Sequence, residues 1–152
     1  MLIISAGRRS DMSAFLQLVA QKLQDMNAQI FIDLYSDEPI TDTEAAAAFA
    51  SLRAAADAEE AGTERRRGFF RLKRDKYMAR RLDVAEPTQR TAFTLLAHRV
   101  INCDAYVDDR QVFGVVEETG EVWLDVDTTQ VMSLIEAARA GGAITLSSRP
   151  VE

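Results

Sequence analysis

The sequence has little cysteine and no stretch long enough to cross a membrane. Cys103 is the single cysteine among 152 residues, which excludes an internal disulfide and indicates a reducing compartment. No apolar run approaches the roughly 18 residues that a membrane-spanning helix needs. The start is not typical of a secretion signal, because Arg8 and Arg9 follow its short apolar run instead of preceding it. We therefore expect a cytoplasmic protein without a membrane partner.

The chain also lacks the residue sets that common catalytic and metal sites require. His98, the single histidine, lies five residues before Cys103, whereas side chains on one helical face are three or four residues apart. A Cys–His nucleophile pair is therefore unsupported, a structural zinc site lacks ligands, and both residues are expected to be packed in the interior. Residues 104–127 lack the spacing of a calcium loop, and neither a glycine-rich dinucleotide fingerprint nor a phosphate-loop lysine is present. We predict no metal and no cofactor, and we favour a non-catalytic protein over an enzyme.

What the sequence has instead is an uneven distribution of charge. Residues 64–82 hold nine basic and two acidic side chains, a net charge of +7, and since the whole chain carries −6, the remainder carries −13. Residues 103–140 contain nine acidic side chains against Arg110 and Arg139. This asymmetry predicts two oppositely charged surfaces. The basic residues of the segment 64–82 are Arg65, Arg66, Arg67, Arg71, Lys73, Arg74, Lys76, Arg80 and Arg81.

Residues 110–150 are the part of the chain where the local signals agree best. Two runs rich in β-branched residues flank a loop that ends in Gly120, which predicts a β-hairpin. Asp127 begins a capping-box pattern, which is followed by apolar residues at helical spacing and by a glycine pair that ends the helix. A short strand over residues 143–146 completes a hairpin–helix–strand unit.

The register of this hairpin can be interpreted in two ways, and a slip of one residue turns every side chain to the other face of the sheet. A two-residue loop pairs Val115 with Leu124. A three-residue loop pairs Val116 with Val122 and collects most of the valines, with Leu124, on one face. We predict the three-residue loop for that reason.

The first 35 residues predict a strand, a helix and a second strand. Residues 2–5 form a short apolar strand, and Ser10 or Asp11 is suited to cap a helix whose apolar residues keep three- and four-residue spacing. Residues 29–35 form the next strand. This order favours a parallel βαβ unit.

The middle of the chain predicts two or three helices. An alanine-rich run of high helix propensity lies between a capping-box pattern at residues 41–44 and Gly62, which is expected to end the helix. The basic segment, residues 64–82, fits a strand or a helix, and we favour a helix. Residues 88–102 predict a further helix because of their length, although the Thr and Phe content of residues 91–100 also fits a strand. Together these elements predict one α+β domain over residues 1–152, with helices packed on a mixed sheet of about five strands.

Arg8, Arg9 and Ser10 form a candidate anion-binding site. They lie between the first strand and the first helix, and in a parallel unit this turn is at the carboxyl end of the sheet, where ligands often bind. Free N–H groups at the helix start and two guanidinium groups suit a phosphate or a carboxylate. The alternative is that the two arginines pair with Asp37 and Glu38, which follow the next strand.

Three functions are compatible with these features. The two charged regions favour a non-catalytic interaction or regulatory module, an inhibitor or adaptor, that binds a protein partner. The basic segment, which is interleaved with Phe69, Phe70 and Tyr77, is also typical of a nucleic-acid-associated protein, although the −13 of the remainder would repel phosphate. The third is a small enzyme or sensor that binds an anionic ligand at Arg8 and Arg9.

Overall fold

The structure, a computed structural model, describes residues 1–67 and 75–152, with side chains described for 1–62 and 75–152. Within these residues, seven strands form one sheet and four helices pack on it. The strands are β1 (Leu2–Ala6), β2 (Gln29–Ile32), β3 (Arg80–Leu82), β4 (Cys103–Val107), β5 (Arg110–Val116), β6 (Glu121–Leu124) and β7 (Leu146–Pro150). The helices are α1 (Arg9–Asp25), α2 (Thr43–Arg67), α3 (Pro87–Leu96) and α4 (Thr128–Ala140).

The sheet has the strand order β3-β2-β4-β5-β6-β1-β7, and each neighbouring pair is antiparallel. The predicted α+β class is confirmed, but the sheet has seven strands instead of about five, because β3 and β4 were not predicted as strands. The sheet is antiparallel throughout instead of mixed, and the predicted parallel βαβ unit is present in a split form. β1 and β2 run in the same direction, but β6, β5 and β4 lie between them, so the two strands share no hydrogen bonds.

The core lies between the sheet and a single layer of helices, in which α2 packs on α3, α3 on α1, and α1 on α4. Side chains paired directly across six strands form one apolar row, which explains why short strands hold together in one sheet. The row is Leu2, Leu124, Phe113, Ala105, Ile30 and Leu82. Phe93 of α3 packs on this row, with its ring centroid 5.5 Å from that of Phe113. Cys103, at the start of β4, is buried and free, as expected of a packed side chain.

The register of the β5–β6 hairpin differs from both predicted registers. Val116 pairs with Glu121, so the loop consists of the four residues 117–120. Glu118 and Gly120 adopt left-handed backbone conformations, with φ of 62° and 71°, which lengthens the turn. The hydroxyl of Thr119 accepts a hydrogen bond from the Glu121 N–H and donates one to the Val116 carbonyl, which closes the loop.

Trp123 gives a second reason for this register. It pairs with Gly114, and its indole ring lies so close that a Cβ atom added at Gly114 would be 2.6 Å from the ring. Either predicted register would place the ring opposite a valine, Val115 or Val116, whose Cβ atom would occupy the space that the ring fills beside Gly114. The glycine therefore fixes which residue of β5 can lie opposite the tryptophan.

The ends of several helices also differ from prediction. α2 does not end at Gly62 but continues to Arg67, since one glycine costs only about 1 kcal/mol of helix propensity relative to alanine. α3 begins at Pro87, where Glu86 caps it by accepting from the backbone N–H groups of Thr88 and Gln89. The basic segment is therefore part helix and part strand β3, and its residues 68–74 lie outside the described residues.

Candidate functional site

A cleft of about 730 Å³ opens at one edge of the sheet. Four segments line it: the β1–α1 turn, the loop that follows β2, the segment between α3 and β4, and the β5–β6 turn. β1, β2 and β5 run in the same direction, so their carboxyl ends all lie at this edge. Arg8 and Arg9 line the cleft, although the strands on either side of α1 are not neighbours in the sheet.

Hydrogen bonds to Thr145, in the loop before β7, hold the β1–α1 turn in place. Its hydroxyl accepts from the Arg8 N–H at 3.1 Å, and its carbonyl accepts from the Gly7 N–H at 3.3 Å. The carboxylate of Asp11 accepts from the Thr145 N–H at 3.0 Å and from the Thr145 hydroxyl at 2.6 Å. These two hydrogen bonds, and then the nearby Arg8, lower the pKa of Asp11. These hydrogen bonds therefore fix the position of the turn that carries the candidate site.

The first turn of α1 has unused hydrogen-bond donors. The predicted caps Ser10 and Asp11 lie inside the helix, and Arg8 occupies the N-cap position without a capping side chain. The Asp11 side chain is directed to Thr145 instead. Within the described residues, no group accepts a hydrogen bond from the N–H of Arg9 or Ser10. These N–H groups lie at the positive end of the helix dipole, which favours an anion.

The two arginines of the candidate site have different partners. Arg8 donates to Asp11, with 3.2 Å between Nη2 and Oδ2. Arg9 pairs with Glu38 at 3.2 Å, and the two side chains are 58% and 78% exposed. The alternative pairing predicted from the sequence thus holds for Arg9 and Glu38 but not for Arg8. An exposed pair of this kind is worth only about 0–1 kcal/mol, so Arg9 can exchange its partner for a bound anion.

Two further residues that line the cleft, His98 and Arg99, were not predicted as site residues. The Arg99 side chain is only 5% exposed, and its Nη1 donates to Asp42 at 2.5 Å while its Nη2 has no partner. His98 is 8% exposed, and both of its ring nitrogens lack a partner. Among the described side chains, these are the buried nitrogens without a hydrogen bond. A buried polar group left unsatisfied costs about 1–3 kcal/mol.

The electrostatic surroundings keep His98 neutral near pH 7. Burial, together with the positive charges of Arg99 and Arg9, lowers the pKa of His98 to about 4, against the smaller opposite effect of Asp42. A neutral imidazole has one N–H donor and one acceptor nitrogen. The unpartnered nitrogens of Arg99 and His98 are therefore two donors and one acceptor, and all three are buried beneath the surface of the cleft.

The opposite side of the cleft is acidic. Glu117 and Glu118, in the β5–β6 turn, are exposed, and Asp37 lies beside Glu38 in the loop after β2. The turn also lies over His98, since a Cβ atom added at Gly120 would be 3.6 Å from the His98 carbonyl. The cleft lining thus carries three arginines together with four acidic side chains, a charge pattern unsuited to a large polyanion.

No described residue of the basic segment lines the cleft. Lys76 pairs with Asp57 at 2.7 Å, and Arg80 pairs with Glu59. Arg81, on β3, is exposed. Arg65, Arg66 and Arg67 belong to the last turns of α2, whereas Arg71, Lys73 and Arg74 lie outside the described residues. The described side chains of the basic segment, those of residues 75–82, therefore lie outside the cleft.

No family model, no curated protein and no solved structure matches this chain. Within residues 1–67 and 75–152, no helix is both long and apolar enough to cross a membrane. The same residues contain no group of three or more His, Cys, Asp or Glu side chains arranged to hold a metal ion.

Proposed function

We propose that the protein is a regulatory binding module whose cleft takes a small ligand with an anionic group. The observation that carries this proposal is the pair of unpartnered N–H groups of Arg9 and Ser10 at the start of α1, beside the guanidinium groups of Arg8 and Arg9. Oxygen atoms of an anion would supply the acceptors that these N–H groups lack, and the two guanidinium groups would offset its charge.

A binding role is favoured over catalysis by the state of the single thiol. Cys103 is fully buried, and burial raises its pKa well above the usual value, so it is neither accessible nor ionised as a nucleophile. The neutral His98 has no hydrogen-bonded nucleophile beside it. The free thiol is also the reason that we propose a cytoplasmic location.

Thermal unfolding with added anions tests this function. Phosphate, sulfate and small carboxylates at millimolar concentration are expected to raise the Tm of the wild type, because a ligand that binds only the folded state stabilises it. The double variant Arg8→Ala with Arg9→Ala should lose most of this shift. Arg81→Ala with Arg110→Ala is the matched control, since both arginines are exposed and outside the cleft. A wild type that responds to none of these anions would refute the proposal.

A second candidate function is an interaction surface at the end of α2, and the exposure of the turn that precedes this end, residues 57–62, favours it. Ala45 and Ala56 are the buried residues among the described side chains of α2, and residues 57–62 are exposed apart from the half-buried Glu60. Arg65, Arg66 and Arg67 follow on the same helix. We infer that this end would bind an acidic protein partner, in the manner of an inhibitor or adaptor.

Fluorescence anisotropy with labelled polyglutamate and with a labelled single-stranded oligonucleotide tests this second function. Salt-dependent binding of polyglutamate, lost when Arg65, Arg66 and Arg67 are changed to glutamate, would support an acidic protein partner. Preferential binding of the oligonucleotide would instead support a nucleic-acid-associated protein. If neither probe binds the wild type at low salt, the second function is wrong.

A further inference from the structure

Within residues 1–67 and 75–152, the helices contact only one of the two faces of the sheet. Side chains of α2, α3 and α4 meet Arg80, Phe113 and Ser148, which lie on the same face as the apolar row. The other face, which we call the open face, carries a second row of residues paired across all seven strands. The row is Arg81, Phe31, Asp104, Gly114, Trp123, Ile3 and Arg149. None of them lines the cleft, so the open face is a separate surface.

The middle of the open face is apolar and aromatic. Gly114 lies on β5, the central strand of the seven, and the indole ring of Trp123 fills the space where a side chain would otherwise be. Ile3 is paired with Trp123 on one side of the ring. Towards the β3 edge, Phe31 contacts Tyr106 edge to face, with the ring centroids 6.2 Å apart. Within the described part of the chain these four side chains remain partly exposed, and a contiguous apolar surface of this kind is typical of an interaction site.

The charged side chains that the strands place on the open face balance one another. Arg81 and Arg149 lie at the two ends of the row, and Asp104 and Glu121 lie between them. Glu121 accepts a hydrogen bond from Arg149 at 2.8 Å, and the carboxylate of Asp104 accepts from two side-chain amides. A surface with two charges of each sign offers a polyanion little attraction and does not repel a copy of itself.

The row also has nearly the same order when it is followed from either edge of the sheet. An arginine lies at each end, Phe31 or Ile3 is second from the end, and Gly114 is at the centre. We propose that the open face binds the open face of a second copy of this chain, so that two sheets pack face to face in a two-fold dimer. A two-fold axis along β5 would lay Phe31 of one copy on Ile3 of the other.

The dimensions of the open face suit a small but specific interface. Seven strands at a spacing of about 4.8 Å are roughly 30 Å wide, and strands of four or five residues are roughly 15 Å long. A patch of this outline is at the lower end of the range for specific interfaces, which bury about 800 Å² on each partner. We therefore expect a dimer that dissociates on dilution.

Trp123 is the single tryptophan of the chain, so its fluorescence reports directly on the open face. Sedimentation velocity from micromolar to millimolar protein should show an equilibrium between monomer and dimer. Over the same range the emission of Trp123 should shift to shorter wavelengths, and acrylamide should quench it less, because the ring becomes buried in the dimer. A protein that stays monomeric throughout, or a dimer in which Trp123 is as accessible as in the monomer, would overturn the proposal.

Two isoleucines provide matched variants. Ile3→Lys places an ammonium group in the row, and its dimer should be about ten-fold weaker or more, because the charges of the two copies lie close together. Ile144, in the loop before β7, is 71% exposed and is not part of the row, so Ile144→Lys should leave the dimer unchanged. Equal dissociation constants for the two variants would contradict the assignment of the interface.

Arg81→Glu serves where Ile3→Lys does not fold, as judged by far-ultraviolet circular dichroism. Arg81 is exposed, and the change leaves the open face with three acidic groups against one basic group, which should weaken the dimer most at low salt. A dimer that this variant does not weaken would also contradict the interface.

A single-stranded oligonucleotide tests the other occupant that exposed aromatic rings suit. We expect no quenching of Trp123 by the oligonucleotide, because the charges of the open face balance. Quenching that saturates and is accompanied by dissociation of the dimer would show that the open face binds nucleic acid instead of a second copy.

Discussion

His98 has a pKa of about 4 in the folded protein, against 6.5 for an unperturbed imidazole. Because the folded value lies below the unfolded one, the unfolded chain takes up a proton first as the pH falls. Protonation of His98 therefore destabilises the fold between about pH 6.5 and pH 4, and the loss levels off below pH 4. No other described residue combines this degree of burial with ring nitrogens that lack partners.

We predict that His98→Gln removes this contribution to pH dependence. The wild type should lose about 2–3 kcal/mol of unfolding free energy relative to the variant between pH 7 and pH 4, as the difference in pKa implies. Urea denaturation of both proteins at several pH values measures the difference. Protonation of acidic groups lowers the unfolding free energy of both proteins alike, so this effect cancels in the comparison. A difference that stays constant with pH would mean that His98 is not held neutral by its surroundings.

The two glycines with the clearest difference in surroundings are Gly114 and Gly62. A Cβ atom at Gly114 would meet the Trp123 ring at 2.6 Å, whereas at Gly62, within α2, it would meet nothing within 4 Å. We predict that Gly114→Ala destabilises the fold by about 1–3 kcal/mol through overpacking. Gly62→Ala should stabilise it by about 0.5–1 kcal/mol. Equal denaturation midpoints for the two variants would contradict the observed hairpin register.

At the scale of elements, sequence patterns predicted the features that depend on neighbouring residues. They did not predict the features that depend on contacts between residues far apart in the sequence. The Asp127 cap of α4 and the stop after it were predictable, because a carboxylate that accepts two backbone N–H groups needs no tertiary partner. The short strands β3 and β4 were not predicted. Their residues become strands because β2 lies between them and pairs with both. The prediction of the hairpin register was wrong because the register depends on the contact of Trp123 with Gly114. The alternation of apolar and polar residues gives no sign of this contact.

The hairpin–helix unit near the C-terminus supplies much of the apolar contact. Leu124 of β6 and Ile135 of α4 are both fully buried. We predict that Leu124→Ala and Ile135→Ala each lower the unfolding free energy by roughly 2–5 kcal/mol, the range for large-to-small changes in a packed core. Urea denaturation checks this, with Leu134→Ala as a control because that side chain is only partly buried. Wild-type midpoints for both core variants would show that these residues do not belong to the core.

At the scale of the whole molecule, the candidate site assembles from four segments far apart in the sequence. The location of Arg8 and Arg9 could be predicted from a strand followed by a helix. Their association with His98 and Arg99 could not, since the order of the strands brings these residues together. The residue types offered no signal either, because a histidine next to an arginine after a helix matches no known ligand spacing.

The charge asymmetry is a property of the whole chain, and its consequence for stability can be measured. We predict that changing Arg65, Arg66 and Arg67 to glutamate alters the unfolding free energy by no more than about 1 kcal/mol, since the preceding turns of α2 are exposed. Thermal or urea denaturation tests this. A variant that does not fold would mean that the basic segment neutralises the acidic part of the chain itself.

The single histidine makes the most direct test of the cleft possible, because one imidazole gives one unambiguous set of nitrogen signals in nuclear magnetic resonance. In nitrogen-15-labelled protein at pH 7, the ring should show the neutral form, and added phosphate should shift both ring nitrogens saturably. The midpoint should match that of phosphate binding by calorimetry and should rise in the Arg8→Ala, Arg9→Ala variant. Ring signals that stay unchanged at phosphate concentrations that stabilise the protein would show that anions bind elsewhere and that His98 is not part of the site.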